Sequence, residues 1–200
     1  MPLTRPTASQ VNFDVTNVTD PLVRFNSGQS GTNDKDIGIV FERGSQTNVA
    51  LLWDESADKF VLVNTSEDGT TSGNVTISSY ADLTASSLNV NNQSTLATSS
   101  QTLATTSQTA IDTFSASAFR SCKYLIQATN TVSSEYQATE AIIVHNGTTS
   151  YMSTYGITYT GSAELATFAT DINSGSVRLL ATGANANSTQ YKVTRITVVV

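Results

Sequence analysis

The sequence is short of the residues on which most chemistry depends. In 200 residues it has one cysteine, one histidine, one tryptophan and three prolines, and only 13% of it is charged. A single thiol, Cys122, excludes an intramolecular disulfide and a cysteine-based zinc site. His145 has no second histidine with which to build a metal site or a dyad. Lys and Arg number 10 against 16 Asp and Glu, for a net charge of −6. Phosphate binding needs clustered cations, and these are scattered singly, so no nucleic-acid partner is expected. No apolar run approaches the ~18 residues that a membrane-spanning helix requires, so no membrane insertion is expected. The opening Met1-Pro-Leu-Thr-Arg-Pro6 leads straight into polar sequence without an apolar core, and no secretory signal is read there.

What is abundant is Ser and Thr, together about 29% of the chain and far above an ordinary soluble domain. Thr and Ser fit β-surfaces and solvate them without charge, a composition of fibres and surface proteins more than of globular enzymes. The apolar share of 38%, with seven Phe and seven Tyr, argues against disorder through most of the chain.

The organising stretch is Asp36 to Leu62. Three β-favouring runs, Ile37 to Phe41, Val49 to Trp53 and Phe60 to Val63, are separated by the polar loops Arg43 to Thr47 and Asp54 to Lys59, the pattern of an antiparallel meander. Gly44 can take a positive φ in the first loop, and Asp54 can accept a backbone N–H at the start of the second. Three such strands cover too little of their own surface and need something to lie against. The residues Asp36-Ile37-Gly38, Phe41, Arg43-Gly44, Trp53-Asp54-Glu55, Asp58-Lys59-Phe60 and Leu62 resemble a module of structural and fibre proteins of marine tailed phages, especially those infecting cyanobacteria.

Along the chain, residues 1 to 10 read as an extended arm, Val11 to Thr16 as a half-buried strand, and Leu22 to Phe25 as a further short strand. A short strand is predicted at Val75 to Ile77. Residues 84 to 108 are poor in large apolar side chains and read as a neck or thin stalk. It contains a repeat: Thr95-Leu-Ala-Thr-Ser-Ser-Gln101 is followed by Thr102-Leu-Ala-Thr-Thr-Ser-Gln108. A coiled coil seamed by Leu96 and Leu103 would have one large apolar residue per heptad, too few for stability, so an extended or β-like stalk is expected.

From Thr109 strand signals recur at regular spacing, in Ile111 to Phe114, Cys122 to Thr129, Ala138 to His145, Tyr151 to Thr160, Leu165 to Ile172, Val177 to Thr182 and Tyr191 to Val200. Asn146-Gly147 marks a hairpin turn. Seven strands of this kind predict a jelly-roll-like β-sandwich. Thr109-Ala-Ile-Asp-Thr-Phe-Ser115, Lys123-Tyr-Leu-Ile-Gln127, Val144-His-Asn-Gly-Thr148, Tyr155-Gly-Ile157 and Lys192-Val-Thr-Arg195 are similar to the C-terminal domains of fibre proteins of the same phages.

Candidate chemistry is sparse. A Cys122–His145 nucleophile pair has no oxyanion-loop glycines around it. Asp54-Glu-Ser-Ala-Asp58 begins like a calcium loop but lacks the glycine at its sixth position, which is Lys59, and reads as a turn cap. Glu140 and Glu164 show no paired-carboxylate context. Asn74-Val-Thr76 and Asn146-Gly-Thr148 match glycosylation triplets at the rate so much Ser and Thr produces by chance. No catalytic, metal or cofactor site is therefore assigned. Tyr136, Tyr151, Tyr155 and Tyr159 are the candidate recognition residues, because rings near the loop ends of a sandwich stack on sugars or on protein; core or subunit contacts are the competing role.

The expectation is an all-β, elongated chain of three parts: an N-terminal meander module and attachment arm over residues 1–83, a Ser/Thr-rich neck over 84–108, and a C-terminal sandwich over 109–200. The thin core predicts a homo-oligomer, a trimer, since copies around one axis bury faces a monomer exposes. The resemblance implies a virion component, assembled in the host cytoplasm, a tail-fibre type whose N-terminal region meets other virion proteins and whose C-terminal domain meets the host surface. A capsid decoration or head-fibre protein is the alternative; a carbohydrate-active enzyme or a cellular adhesin ranks lower.

Overall fold

The computed structural model describes residues 22–70 and 73–200; the expected arm over residues 1–10 and strand at Val11 to Thr16 lie outside them. All regular structure among the described residues is β-strand, as expected, and the chain divides into two compact units, Met1–Leu83 and Thr84–Val200.

The first unit is a four-stranded antiparallel sheet of β1 (Ile37–Phe41), β2 (Asn48–Asp54), β3 (Lys59–Thr65) and β4 (Ile77–Tyr80), in sequence order. The meander is present, with β4 added at one edge and starting at Ile77, not Val75. Its turns are those the sequence encodes. Gly44 has φ +63°, and the Asp54 carboxylate accepts the Ser56 and Ala57 N–H groups at 3.0 and 3.1 Å. Leu22 to Phe25 is not a strand; Asn26 and Gly28 take φ of 52° and 96° and turn the chain before it can pair.

Alternation along β2 and β3 buries Ala50, Leu52, Val61 and Val63 on one face, against which Val40, Val75 and Ile77 pack. Asp36 fastens this small core by accepting the Glu55 N–H at 3.0 Å and the Val75 N–H at 2.7 Å. Gly38 admits β2 so closely that a Cβ there would collide with the Leu51 carbonyl and sit 2.8 Å from the Leu52 Cα.

The second unit holds β5 (Ser87–Val90), β6 (Ser94–Leu103), β7 (Thr109–Ser115), β8 (Phe119–Asn130), β9 (Glu135–His145), β10 (Ser150–Tyr159), β11 (Ala166–Asn173), β12 (Ser176–Gly183) and β13 (Thr189–Val199). They form a six-stranded sheet, β10-β9-β8-β13-β6-β5, and a three-stranded sheet, β11-β12-β7. Both are antiparallel and share one buried cluster: Tyr124, Ile126, Ile143 and Val193 from the first meet Ile111, Phe114, Val177 and Leu179 from the second. This is a sandwich of unequal sheets. The Asn146-Gly147 hairpin is closed by Asn146, whose side chain accepts the Thr148 and Thr149 N–H groups, with Gly147 at φ 101°.

Residues 84–108 do not form a neck. β5 and β6 lie inside the large sheet, and β6 pairs with β13 through ten consecutive positions, Ser94↔Val198 to Leu103↔Thr189. The repeat has an odd period, so on a strand its two leucines face opposite ways: Leu96 points out, and Leu103 packs on the core. Ser and Thr are adequate here because the apolar face of the core comes from β8, β9 and β13.

Candidate interaction surface

The interior of the second unit is braced by polar side chains that join its two sheets. Asp112 on β7 and Arg195 on β13 form an ion pair with side chains only 10% and 14% exposed. Tyr124 on β8 donates its hydroxyl to the same Asp112 Oδ2 at 2.8 Å, and the Arg195 guanidinium also donates to the Thr113 carbonyl at 2.8 Å. The cation lies 5.5 Å from the centre of the Phe114 ring. Burial, and then the Asp112 carboxylate, push the Tyr124 phenol well above its ordinary range.

A second brace is Gln137. Its side-chain carbonyl accepts the Leu165 and Ala166 N–H groups at 2.6 and 3.1 Å, and its amide donates to the Ala166 carbonyl at 3.0 Å. It thereby fixes the start of β11, where the chain crosses to the small sheet. The sequence reading passed over these residues as sites, although Asp112, Tyr124 and Arg195 each fall in a segment that carried the fibre-protein resemblance.

The Cys122–His145 pair does not exist as chemistry. The His145 Nδ1 accepts the Gly147 N–H at 3.1 Å, so Nε2 carries the proton and donates to the Phe119 carbonyl at 2.7 Å. Neither ring nitrogen is left for a thiol. Burial pushes Cys122 up to about 12, where it stays protonated. The calcium-like loop is a cap, since the Asp54 carboxyl is held below its usual range by the Ser56 hydroxyl and by the N–H groups of Ala57 and Ser56. Among the described residues no cluster of three acidic, histidine or cysteine side chains could hold a metal.

Three of the four surface candidates, Tyr136, Tyr151 and Tyr155, lie on the sheet face that turns away from the core. Residues in register share a face, so the pairings define rows across the strands. One row runs Tyr151, Val144, Ser121, Val198, Ser94, Val90. The next runs Ser153, Ile142, Lys123, Ile196, Leu96, Leu88, and a third runs Tyr155, Glu140, Leu125, Thr194, Thr98. Beyond them come Thr158, Ala138, Gln127, Lys192, Ser100, and then Tyr136, Thr129, Gln190, Thr102.

The structure therefore splits the four tyrosines. Tyr151 and Tyr155 stand in the apolar rows. There Lys123 pairs with Glu140 at 2.9 Å and lies 5.9 Å from the centre of the Tyr155 ring. Tyr136 stands at the polar end, beside a shallow groove of about 250 Å³ that Gln127, Ala138, Thr158 and Thr160 also line. A bulge between Tyr155 and Thr158, with Gly156 at φ +60°, puts Tyr159 in register with Gln137, on the core side but exposed at the sheet edge.

The first unit exposes an apolar face of its own. Ile39, Leu51, Trp53 and Phe60 line a groove of about 420 Å³ with Val23 and Phe25, and Trp53 meets Phe60 edge-on at 5.1 Å. Trp53 donates to Glu55 at 3.0 Å, so the motif residues of the meander are fasteners of its turns.

No protein-family model matches the chain, and no curated protein does. Among solved structures it is similar to the tailspike protein gp49 of Acinetobacter baumannii bacteriophage Fri1, a capsular polysaccharide depolymerase, at 12% identity and a TM-score of 0.36 over 56% of this chain. It is also similar to the tailspike protein of Acinetobacter baumannii phage AM24, at 10% identity and a TM-score of 0.29 over 54% of this chain. The similarity spans 19% and 26% of the length of those two tailspikes.

Proposed function

We propose that the chain is a structural component of a tailed-phage virion, of the tail-fibre type, that works by binding and not by catalysis. The observation that carries this is the outer face of the six-stranded sheet, an exposed apolar and aromatic surface on a cross-braced sandwich. An enzyme concentrates poised groups in a cleft. Here the one histidine and the one cysteine are engaged or protonated inside the core, and Glu140 is neutralised by Lys123.

In this reading the second unit meets the host surface, with Tyr136 and its amide and hydroxyl neighbours offering a stacking ring and hydrogen bonds to a glycan. The apolar groove of the first unit seats another virion protein. The chain assembles as a homotrimer, which multiplies weak host contacts. The resemblance of residues 36–62 and of the segments after Thr109 to marine phage fibre proteins supports the virion assignment. The test is electron microscopy of particles labelled at the C-terminus, together with adsorption of particles carrying Tyr136→Ala. Label on the tail and weakened adsorption are expected; label at capsid lattice positions with undiminished adsorption would overturn the tail assignment.

A further inference from the structure

The outer face of the six-stranded sheet changes character along its strands. Ten large apolar side chains fall in the three rows at one end, each between 37% and 56% exposed. The two rows at the other end have one large ring, Tyr136, among Thr, Gln, Ser and Lys. With strands about 4.8 Å apart and same-face residues about 6.8 Å apart, the apolar end measures about 29 by 20 Å. Side chains of roughly 150 to 200 Å² apiece, about half exposed, present about 800 Å², the share one partner gives to a stable interface of standard size. Single exposed apolar residues need no explanation, but a contiguous patch of this area does.

The charge distribution selects the occupant. The only charged residues in the three rows, Lys123 and Glu140, cancel in their own ion pair. The chain as a whole carries −6, so copies repel over much of their surface and approach with least penalty where it is neutral. Interfaces between identical subunits are also the most apolar and the most depleted in charge. A glycan offers hydroxyls and needs several polar partners side by side, whereas at this end the Ser and Thr hydroxyls are scattered among ten large apolar side chains and the one charged pair is already satisfied.

We propose that the three apolar rows are the seat of further copies of this chain, and that Tyr151 and Tyr155 are contacts between copies. Only the polar end, with Tyr136, then remains open to the host. The proposal rests on the reading of this face as an interaction surface, and it locates the subunit contact on it.

The test is light scattering of the full chain and of two variants at exposed positions, Ile142→Lys with Ile196→Lys, and the milder Ile142→Thr with Ile196→Thr, which keeps β-branching. Near-UV circular dichroism checks that each sandwich is intact, and Gln127→Lys at the polar end is the control. The wild type is expected at a multiple of 21.2 kDa, three for a trimer. The lysine pair is expected at the mass of one chain, with association weakened by about a hundredfold or more, and the control at the wild-type mass. If the lysine pair does not fold, the threonine pair, with association weakened at least tenfold, decides. A monomeric wild type overturns the proposal, as does an oligomer that folded variants leave unchanged. A wild type that is monomeric yet adsorbs to host cells through Tyr136 overturns it while leaving the binding function standing.

Discussion

Replacing Asp112 by Ala should cost the second unit most of its stability, for a reason that can be worked through atom by atom. The carboxylate answers two donors at once, the Arg195 guanidinium and the Tyr124 hydroxyl, in the space between the sheets. Removing it leaves the Arg195 charge inside the sandwich with only the Thr113 carbonyl, and its Nε has no acceptor even in the intact protein. Breaking a buried pair from one side costs about 3 to 5 kcal/mol. The stranded tyrosine hydroxyl adds about 1 to 3 kcal/mol, part of it already counted in the same desolvation, so a loss of about 4 to 6 kcal/mol is expected. That is comparable with the whole stability of many domains, about 5 to 15 kcal/mol.

Six of the seven tyrosines lie in the second unit, so near-UV circular dichroism in urea follows it. With a slope of about 2 kcal/mol per molar, the midpoint should fall by about 2 to 3 M. The paired change Asp112→Leu with Arg195→Met should be milder than Asp112→Ala alone, because it removes both charges together. A midpoint shift below about 0.5 M for Asp112→Ala, or a paired variant worse than the single one, would refute the idea that this pair fastens the two sheets.

Other expectations follow from the same geometry. Gln137→Leu strips partners from the Leu165 and Ala166 backbone and should cost about 3 kcal/mol, with faster hydrogen exchange at those two amides as its signature. Cys122 should react with iodoacetamide at pH 8 about a thousandfold more slowly in the folded protein than in urea, since its thiol is raised from 9.0 to about 12. Because that folded value lies above the unfolded one, its contribution to stability is complete below pH 9 and is lost as pH rises toward about 12. The urea midpoint should therefore fall between pH 8 and pH 11, and by less in Cys122→Ala. Gly38→Ala drives a methyl into the Leu51 carbonyl and should destabilise the first unit by about 2 kcal/mol, read from Trp53 emission.

How far the sequence spoke for the fold depended on whether a strand announces itself locally. β1 to β3 and β7 to β13 alternate, or are dense in β-branched and aromatic residues, and were legible. β6 was not, because its Ser, Thr, Ala and Gln are indifferent to conformation and take their strand form from the ten positions of β13 beside them. Leu22 to Phe25 erred the other way, with apolar composition but no partner. The candidate surface divides similarly. The tyrosines are visible as aromatic candidates, but the separation of Tyr151 and Tyr155 from Tyr136, and of Tyr159 onto the core side, depends on register and on the bulge at Gly156, which composition does not carry. The braces were out of reach, since Asp112 and Arg195 are 83 residues apart.

One detail shows that the apolar outer face is imposed by the fold and is not an accident of packing. At the end of β13 the pattern is inverted: Thr197 is buried while Ile196 and Val198 stand in the open. A slip of one residue would bury both apolar side chains, since strand faces alternate with period two. It would also expel Tyr191 and Val193 from the core and carry Arg195 away from Asp112. The ion pair and the two core residues hold the register that leaves Ile196 and Val198 outside, beside Leu96 and between Val144 and Val90. The run Ile142-Ile143-Val144 on β9 is in the same position, apolar on both sides of a sheet covered on one. Strands that are apolar on both faces ordinarily belong to sheets covered on both. The second unit covers one face with its small sheet, and the apolar side chains of the other face are those that the proposed contact between copies would cover.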